Sequence, residues 1–404
     1  VSSTFKPATA DQVREAVAWA VGEEQPLEVI GAGSKRGLGR PVQAAHSLDL
    51  SGLTGVTLYE PEELVLSARA GTSIAEIEAL LEEKHQQLAF EPPDYGPLLA
   101  GAAGAGSLGG VLACNLSGPR RIKAGAARDH FLGVDGVSGR GESFKSGGRV
   151  VKNVTGYDLM KVMAGSYGTL AAMTDVTVKV LPRPEKTYTA LVFGLEDAMA
   201  LQAMTLALNS SHEVSGAAHL PAAAARRSGV ARVAECGGAV TAIRVEGPGP
   251  SVVYRCNELR ETLGRFGETE ELHSQNSLAF WREVRNVQPF VEERERSVWK
   301  VSVAPSSGAD VAINVPDSEV FYDWGGGLVW LSLPTGEDSG AAAVRSAVAG
   351  LGGHANLVRA PEQVRASVAV FQLQDSAMAA LTRRVKESFD PRHILNPGRM
   401  YAGV

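Results

Sequence analysis

An α+β fold in two domains is predicted by three features of the sequence. Short β-branched strands give way to helices at glycine or Ser/Thr turns, prolines at 182 and 184 interrupt the chain, and strand–helix units resume beyond them. The opening "VSSTFKPATADQVREAVAWAV" reads as a capped helix rather than a signal peptide, because no basic segment precedes an apolar core. "LEVI" reads as a strand broken by the glycine loop "GAGSKRG". "ELVLSARAGTSIAEIEALLEEKHQQL" starts as a strand and turns at Gly71. It continues as a helix with Ile74, Ile77, Leu80 and Leu81 at helical spacing, and with Thr72 or Ser73 as its cap.

In "DHFLGVDGVSGRGESFKSGGRVV", short apolar pieces between glycines predict hairpins, and "MTDVTVKVLPRP" predicts a strand that stops at its prolines. "TYTALVFGLEDAMALQAMTLALN" and "GAVTAIRVEGPGPSVVYRCNELRETLGRFG" each read as strand then helix. The stretch from about Trp281 to Trp324, polar and holding three of the five tryptophans, reads as irregular. "GLVWLSLP", "AAAVRSAVAGLGG" and "ANLVR" resume strand, helix, strand. "ALTRRVKESFDPRHILNPGRMY" predicts a helix that ends before Pro391. The domain boundaries expected from this pass are 1–184 and 185–404.

The 404 residues suffice for two or three domains with a sizeable core. With 39 basic and 45 acidic side chains the formal charge is −6, which provides no global basic field for nucleic acid or anionic lipid. Cys114, Cys236 and Cys256 are widely spaced without a CxxC pair. They point to neither a disulfide framework nor a thiolate metal cluster, and fit a reduced, intracellular setting. Asn115, Asn153 and Asn209 open N-x-S/T triplets that read as chance without a secretory signal. No apolar window approaches the 18 residues of a transmembrane helix.

Three glycine-rich clusters carry the chemistry. "GAGSLG", residues 104–109, matches the dinucleotide pattern G-x-G-x-x-G, but Pro92, Pro93 and Pro97 stand where its preceding strand belongs, and the Rossmann reading is set aside. "GAGSKRG", residues 31–37, does follow a strand. Its successive N–H groups can converge on a pyrophosphate, with Lys35 and Arg36 at the rim; the alternative is a plain surface turn. "GSLGGVLACNLSGPRR", residues 106–121, starts a helix at Leu108 or Gly109 whose free N–H groups would face an anion, while its small residues admit a flat ligand. Arg120 and Arg121 at its far end would neutralise a reduced cofactor or clamp a carboxylate, or else are two surface arginines beside a Gly-Pro turn. In the third cluster, turns at Gly156, Gly165 and Gly168 flank a short helix.

Those clusters in this order, with "FDPRHILNPGRM" near the C-terminus, resemble the FAD-binding (PCMH-type) domain of the vanillyl-alcohol oxidase flavoproteins. "VKNVTGYDLMKVMAGSYGTL", "GPRRIKAGAARD", the Phe280–Trp281 pair, "VWKVSVAP" and "GGHANLVR" are more specifically similar to the family of FAD-binding subunits of bacterial glycolate oxidases. The resemblance covers nearly the whole chain and is thin from about 210 to 275. It implies an FAD domain of two α+β subdomains over 1–184. It also implies a C-terminal α+β cap or substrate domain over 185–404, with an antiparallel sheet over the flavin and a tail, 385–401, that returns to the flavin site.

The resemblance further implies that Gly31, Ala32, Gly33, Ser34 and Lys35 bind the pyrophosphate through their backbone. Pro93, Ser107, Leu108, Gly109, Gly110, Ala113, Asn115 and Gly118 would follow the flavin and ribityl chain. Gly165, Gly168, Leu170 and Met173 would lie near the adenine side, and Asn396 would close the site. Where the family's loops often carry R-G-G-G or a histidine that anchors the flavin covalently, this chain has Ile30, Ala32 and Ser34, which implies noncovalent FAD.

Oxidising a 2-hydroxy acid requires a hydride acceptor, a cation for the carboxylate and a base for the hydroxyl proton. FAD would supply the first and Arg120 or Arg121 the second. For the third the candidates are His354, Tyr157 and Lys152, whose bland readings are a structural histidine, a packing tyrosine and a solvated charge. The eight histidines form no H-x-H or H-x-x-x-H pair, so no metal site is predicted. One functional reading is a flavin dehydrogenase subunit that oxidises glycolate or a related 2-hydroxy acid and passes electrons to an iron–sulfur partner. The other is an accessory FAD-binding, assembly or electron-relay subunit beside a homologous FAD-containing partner that does the chemistry. Either expects a complex, because this chain lacks cysteines for a cluster. The location expected is cytoplasmic, or peripheral at the inner face of the cell membrane through partners.

Overall fold

The computed structural model describes residues 3–150 and 156–404. The chain forms two compact units. The first gathers the described residues up to Leu116, Gly125–Pro182 and Leu373–Val404; the second holds Ser117–Ala124 and Arg183–Gln372. This differs from a single cut at 184 in two places. The short segment Ser117–Ala124 belongs with the second unit, and everything from Leu373 onward, not only the tail from 385, belongs with the first.

The first unit contains two main sheets. A small parallel sheet runs in the order Ser3–Phe5, His46–Asp49, Leu27–Ile30. An antiparallel sheet runs in the order Val56–Glu60, Val65–Arg69, Ala171–Lys179, Phe131–Ser138, Ser143–Gly147. Helix Ala10–Gly22 starts at Thr9, whose hydroxyl accepts the Gln12 N–H at 3.3 Å. Its Val13, Ala16, Val17 and Ala20 recur at helical spacing. They bury in one cluster with Leu27 and Leu48 from the parallel sheet, Val137 and Ala172 from the antiparallel one, and Ile394 and Leu395 from the tail. A fully buried leucine of this kind stabilises the fold by about 1.5–3 kcal/mol, so the cluster ties the C-terminus to the N-terminal strands.

The tail helix Ser376–Phe389 is capped by Asp375 and stops at Asp390, before Pro391. At its end the Lys386 ammonium is fully buried. It donates to Asp390 Oδ2 at 2.7 Å, to the Thr169 carbonyl at 2.7 Å and to the Leu395 carbonyl at 2.9 Å. Asp390 in turn accepts the N–H groups of Ile394 and Leu395. Every strong donor and acceptor of this buried pair is used, as its desolvation requires.

The second unit is built on one antiparallel sheet of eight strands. Their order is Thr269–Leu272, Lys186–Phe193, Val240–Gly247, Gly216–Leu220, Glu319–Asp323, Leu328–Pro334, Arg296–Ser302, His354–Arg359. Helices Asp197–Leu208, Gly249–Leu263, Ser274–Arg285 and Ala341–Ala349 accompany it. The stretch expected to be irregular, 281–324, in fact supplies two of these strands, Arg296–Ser302 and Glu319–Asp323. Their alternation was hidden because the positions facing away from the buried Trp299 and Val301 carry Lys300 and Ser302, which dilute the apolar pattern.

Candidate functional site

The first unit opens a cleft of about 720 Å³, its mouth included. One wall is the loop that breaks strand Leu27–Ile30: Gly31, Ala32, Gly33, Ser34, Lys35 and Arg36 all line it. Gly33 has φ +75°, a left-handed conformation that costs glycine nothing. The loop's own hydrogen bonding begins with Arg36 N–H to the Gly33 carbonyl. Among the described residues, no protein carbonyl takes the N–H groups of residues 32–35.

The facing wall is the short helix Leu108–Ala113, from which Ser107, Gly109, Gly110 and Ala113 line the cleft. Here side chains would not fit. A Cβ on Gly31 would lie 2.7 Å from Ser107 Oγ, and one on Gly109 would lie 2.8 Å from both the Cβ and the carbonyl of Ala70. The expectation of free N–H groups at this helix start is corrected by the structure. Leu108 N–H donates to the Thr72 carbonyl, Gly109 N–H to the Ala70 carbonyl, and Gly110 N–H to the Ser107 hydroxyl. These bonds splice the helix to strand Val65–Arg69 and its turn, leaving its dipole end occupied by the protein itself.

The tail closes the third side through Asn396, which is itself left-handed at φ +44°. Its side-chain oxygen accepts the Val29 N–H at 2.8 Å, and its amide donates to the carbonyls of Val29 (3.2 Å) and Tyr167 (2.8 Å). Asn396 thus continues the pairing of strand Leu27–Ile30 with side-chain atoms, next to the bond from Leu27 N–H to the Ile394 carbonyl. Opposite it Gly168, at φ +71°, leaves no room for a Cβ, which would fall 2.8 Å from Asn396 Nδ2. Arg399 donates to the carbonyls of Lys35 and Arg36, both at 3.1 Å, and holds the glycine loop in place.

Charge in the cleft comes from Lys35, Arg399 and Arg36, the last paired with Glu28. Burial holds the Lys35 ammonium below its ordinary pKa, opposed by the nearby Cys114 and Asp94. Burial also pushes the Cys114 thiol and the Tyr167 phenol above their ordinary values, so both are neutral at pH 7. Cys114, Tyr167, Ala70 and Arg399 all line the cleft and were missed by sequence reading. Only Arg399 carried a signal, as the arginine of the "LNPGRM" tail motif.

Of the remaining expected residues, Met173 lines the cleft, whereas Pro93, Leu108, Asn115, Gly165 and Leu170 lie outside its lining. Asn115 uses its side-chain oxygen to accept the Arg128 N–H, and Leu108 is fully buried. Gly118 lies in the second unit, where its carbonyl accepts the Trp324 indole N–H at 3.1 Å. Tyr157 is 88 % exposed on the first unit. Lys152, like Asn153, is outside the described residues.

Arg120 and Arg121 separate into two roles within the second unit. Arg120 forms a two-pronged bond with Glu246, at 3.0 and 2.7 Å, and each side chain is only 9 % exposed. Burial alone would raise the Glu246 carboxyl, but the Arg244 and Arg120 guanidiniums hold it far below the usual carboxylate range. Arg120 is therefore committed to holding its segment on strand Val240–Gly247. The neighbouring Arg121 guanidinium lies 4.4 Å from the centre of the Trp324 ring, and the Lys300 ammonium 5.1 Å from it. His354 opens the strand beside Lys300. Its surroundings and the charges of Lys300, Arg121 and Arg345 hold its imidazole below the ordinary value, neutral at pH 7. Among the described residues, no group of three or more His, Cys, Asp or Glu side chains is placed to hold a metal. No described helix is long and apolar enough to cross a membrane.

The fold and the cleft define an FAD-binding flavoprotein: residues 1–147 match the family described as FAD binding domain. Over 405 aligned residues the chain is 33 % identical to glycolate oxidase subunit GlcE of Escherichia coli (strain K12), covering 98 % of each chain. It is 27 % identical over 199 residues to glycolate oxidase subunit GlcD of Bacillus subtilis (strain 168), a match that spans 48 % of this chain and 41 % of that one. Among solved structures, a 4-ethylphenol oxidase from Gulosibacter chungangensis shares the fold at a TM-score of 0.73 and 15 % identity, over 99 % of this chain and 89 % of that one. The chain belongs to the family of FAD-linked oxidoreductases that includes subunit GlcE of glycolate oxidase.

Proposed function

We propose that this chain is the FAD-carrying subunit of a glycolate oxidase (glycolate dehydrogenase) complex. It oxidises glycolate or a related 2-hydroxy acid to the 2-keto acid and passes the electrons to an iron–sulfur partner subunit in the cytoplasm or at the inner face of the membrane. The observation that carries this reading is the likeness to subunit GlcE along 98 % of both chains. The first-unit cleft supports the cofactor: Gly31, Gly109 and Gly168 leave no room for a Cβ, and Lys35 and Arg399 bring positive charge to it.

In this reading the first domain binds FAD and the second takes the substrate. The N–H groups of Ala32 to Lys35 receive the pyrophosphate, with Lys35 and Arg399 balancing its charge. Gly31, Ser107, Gly109, Gly110 and Ala113 let the flat ring system and ribityl chain approach the backbone, and Gly168, Met173 and Asn396 bound the remaining side. FAD, when bound, would supply the hydride acceptor for the alcohol carbon of the acid. The hydroxyl proton goes to a base, for which the neutral imidazole of His354 is the candidate; the solvated Tyr157 is not.

The partial likeness to subunit GlcD favours a second reading. In it a homologous FAD-containing subunit oxidises the acid, and this chain serves assembly or electron relay with its own noncovalent FAD. One experiment separates the two. The isolated chain is purified, its visible spectrum recorded, and glycolate added without oxygen. A flavin band near 450 nm that bleaches establishes the dehydrogenase half-reaction on this chain. A band that stays oxidised in the isolated chain but bleaches once the partners are present supports the relay reading, and the absence of flavin from the folded chain refutes both.

A further inference from the structure

One face of the second-unit sheet is built unlike the rest. Across strands Arg296–Ser302, Leu328–Pro334 and His354–Arg359, Lys300 pairs with Trp330 on one side and Asn356 on the other, and Ser302 pairs with Leu328 and His354. The two-residue period therefore places Lys300, Ser302, His354 and Asn356 on one face, and the buried Trp299, Val301, Ala355 and Leu357 on the other. All four residues of the first set are partly or fully exposed.

Trp324 stands beside this face and is itself constrained. A bulky residue at φ +53° is strained. The strain is held by three features: its backbone N–H donates to Asp323 Oδ1 at 2.7 Å, its indole N–H donates to Gly118, and it is only 8 % exposed. The ring so fixed carries two cations, Arg121 at 4.4 Å and Lys300 at 5.1 Å from its centre, and Lys300 also lies 5.9 Å from the Trp330 ring. Arg121 is held there by its neighbour Arg120, anchored on Glu246.

Two like charges gathered on one indole repel each other. Burial and the nearby Arg121 push the Lys300 ammonium down to about 8, with Asp323 opposing. A solvated surface lysine would carry no such penalty. An anion relieves it: a carboxylate accepts the planar Arg121 fork and the Lys300 ammonium together, and His354, Ser302 and Asn356 offer hydrogen bonds to an oxygen on the adjacent carbon.

We propose that Arg121, Lys300 and His354, arranged around the Trp324 indole, form a carboxylate-binding site of the second unit that takes a small 2-hydroxy or 2-oxo acid. The choice of acid rests on the function proposed above; the anion site does not depend on it.

The test is calorimetric titration of the full chain with glycolate, glyoxylate and inorganic phosphate at pH 7, with the change in tryptophan fluorescence that a Trp324→Phe variant loses as a second readout. Glycolate and glyoxylate are expected to bind more tightly than phosphate. K300A and R121A should each weaken them by about tenfold or more, the usual worth of one charge-assisted hydrogen bond, while K300R retains most of the affinity. Above pH 8 binding should fall in the wild type as Lys300 loses its proton. The groups that face it, Arg121, Asp323 and the neutral His354, are unchanged in K300R, whose guanidinium keeps its charge, so K300R should not show that fall. If K300A does not fold, this pH comparison decides.

Unchanged affinity in R121A and K300A, a wild type that binds neither acid, or phosphate binding as tightly as glycolate overturns the proposal. Flavin content, read at 450 nm in the same samples, keeps the two readings apart. A chain that binds glycolate at Arg121 but carries no flavin sinks the proposed function and leaves the carboxylate site standing.

Discussion

Asn396 is the residue on which the first-unit cleft turns, because one side chain satisfies the edge of strand Leu27–Ile30 and the turn at Tyr167 at once. Asn396→Ala leaves the Val29 and Tyr167 backbone groups unpaired and should cost about 1–3 kcal/mol for each group left buried. Denaturant unfolding should report that loss, together with a lower ratio of flavin to protein absorbance. Gly110 provides a complementary probe. A Cβ there would sit 3.1 Å from Ser107 Oγ and 3.5 Å from Lys35 Nζ, so Gly110→Asp places a carboxylate beside the cleft's lysine. Flavin content should drop in a protein whose circular dichroism is unchanged; full flavin content in the folded variant would remove this helix from the binding path.

Among the elements, the C-terminal end of the tail helix and the segment around Arg120 are each held by an ion pair that is little exposed. Lys386→Met strands the Asp390 carboxylate without its cation and should destabilise the fold by about 3–5 kcal/mol, measured by chemical unfolding. The Glu246 pair adds a pH dependence. Its carboxyl is depressed in the folded chain, so its contribution is complete above its unfolded value of 4.5 and is lost as pH falls below that, toward the folded value. Unfolding midpoints of the wild type should therefore decline below pH 4.5 more steeply than those of E246Q. That variant is weaker at neutral pH because two buried guanidiniums lose their counter-charge.

For the whole molecule, the consequence is that neither unit is a continuous stretch of chain, since the first is completed by Leu373–Val404. Removing residues 373–404 takes away Ile394 and Leu395 from the buried cluster, Asn396 from the strand edge and Arg399 from the glycine loop. The shortened chain should show early proteolytic cleavage within residues 3–116 and no flavin, while cleavage within 183–372 stays at the wild-type rate. Equal protection of both regions would refute this account of the tail.

Most elements were legible because they rest on local chemistry. Thr9 and Ser73 cap their helices through their own hydroxyls, Pro391 ends the last helix, and strands such as Leu27–Ile30 and Ala171–Lys179 declare themselves by β-branched residues between turns. The glycine loop at 31–37 was legible for the same reason, as a run of residues without side chains after a strand. Tertiary structure decided what depends on partners remote in sequence. The N–H groups of Leu108 and Gly109 are taken by the carbonyls of Thr72 and Ala70, 36 and 39 residues earlier, and Arg120 is drawn apart from Arg121 by a glutamate 126 positions away. Lys300 acquires its chemistry only when strand pairing and a strained turn bring Trp330, Trp324 and Arg121 around it. Backbone propensity acts within a few residues, whereas burial, ion pairing and pKa arise from contacts that only the folded chain makes.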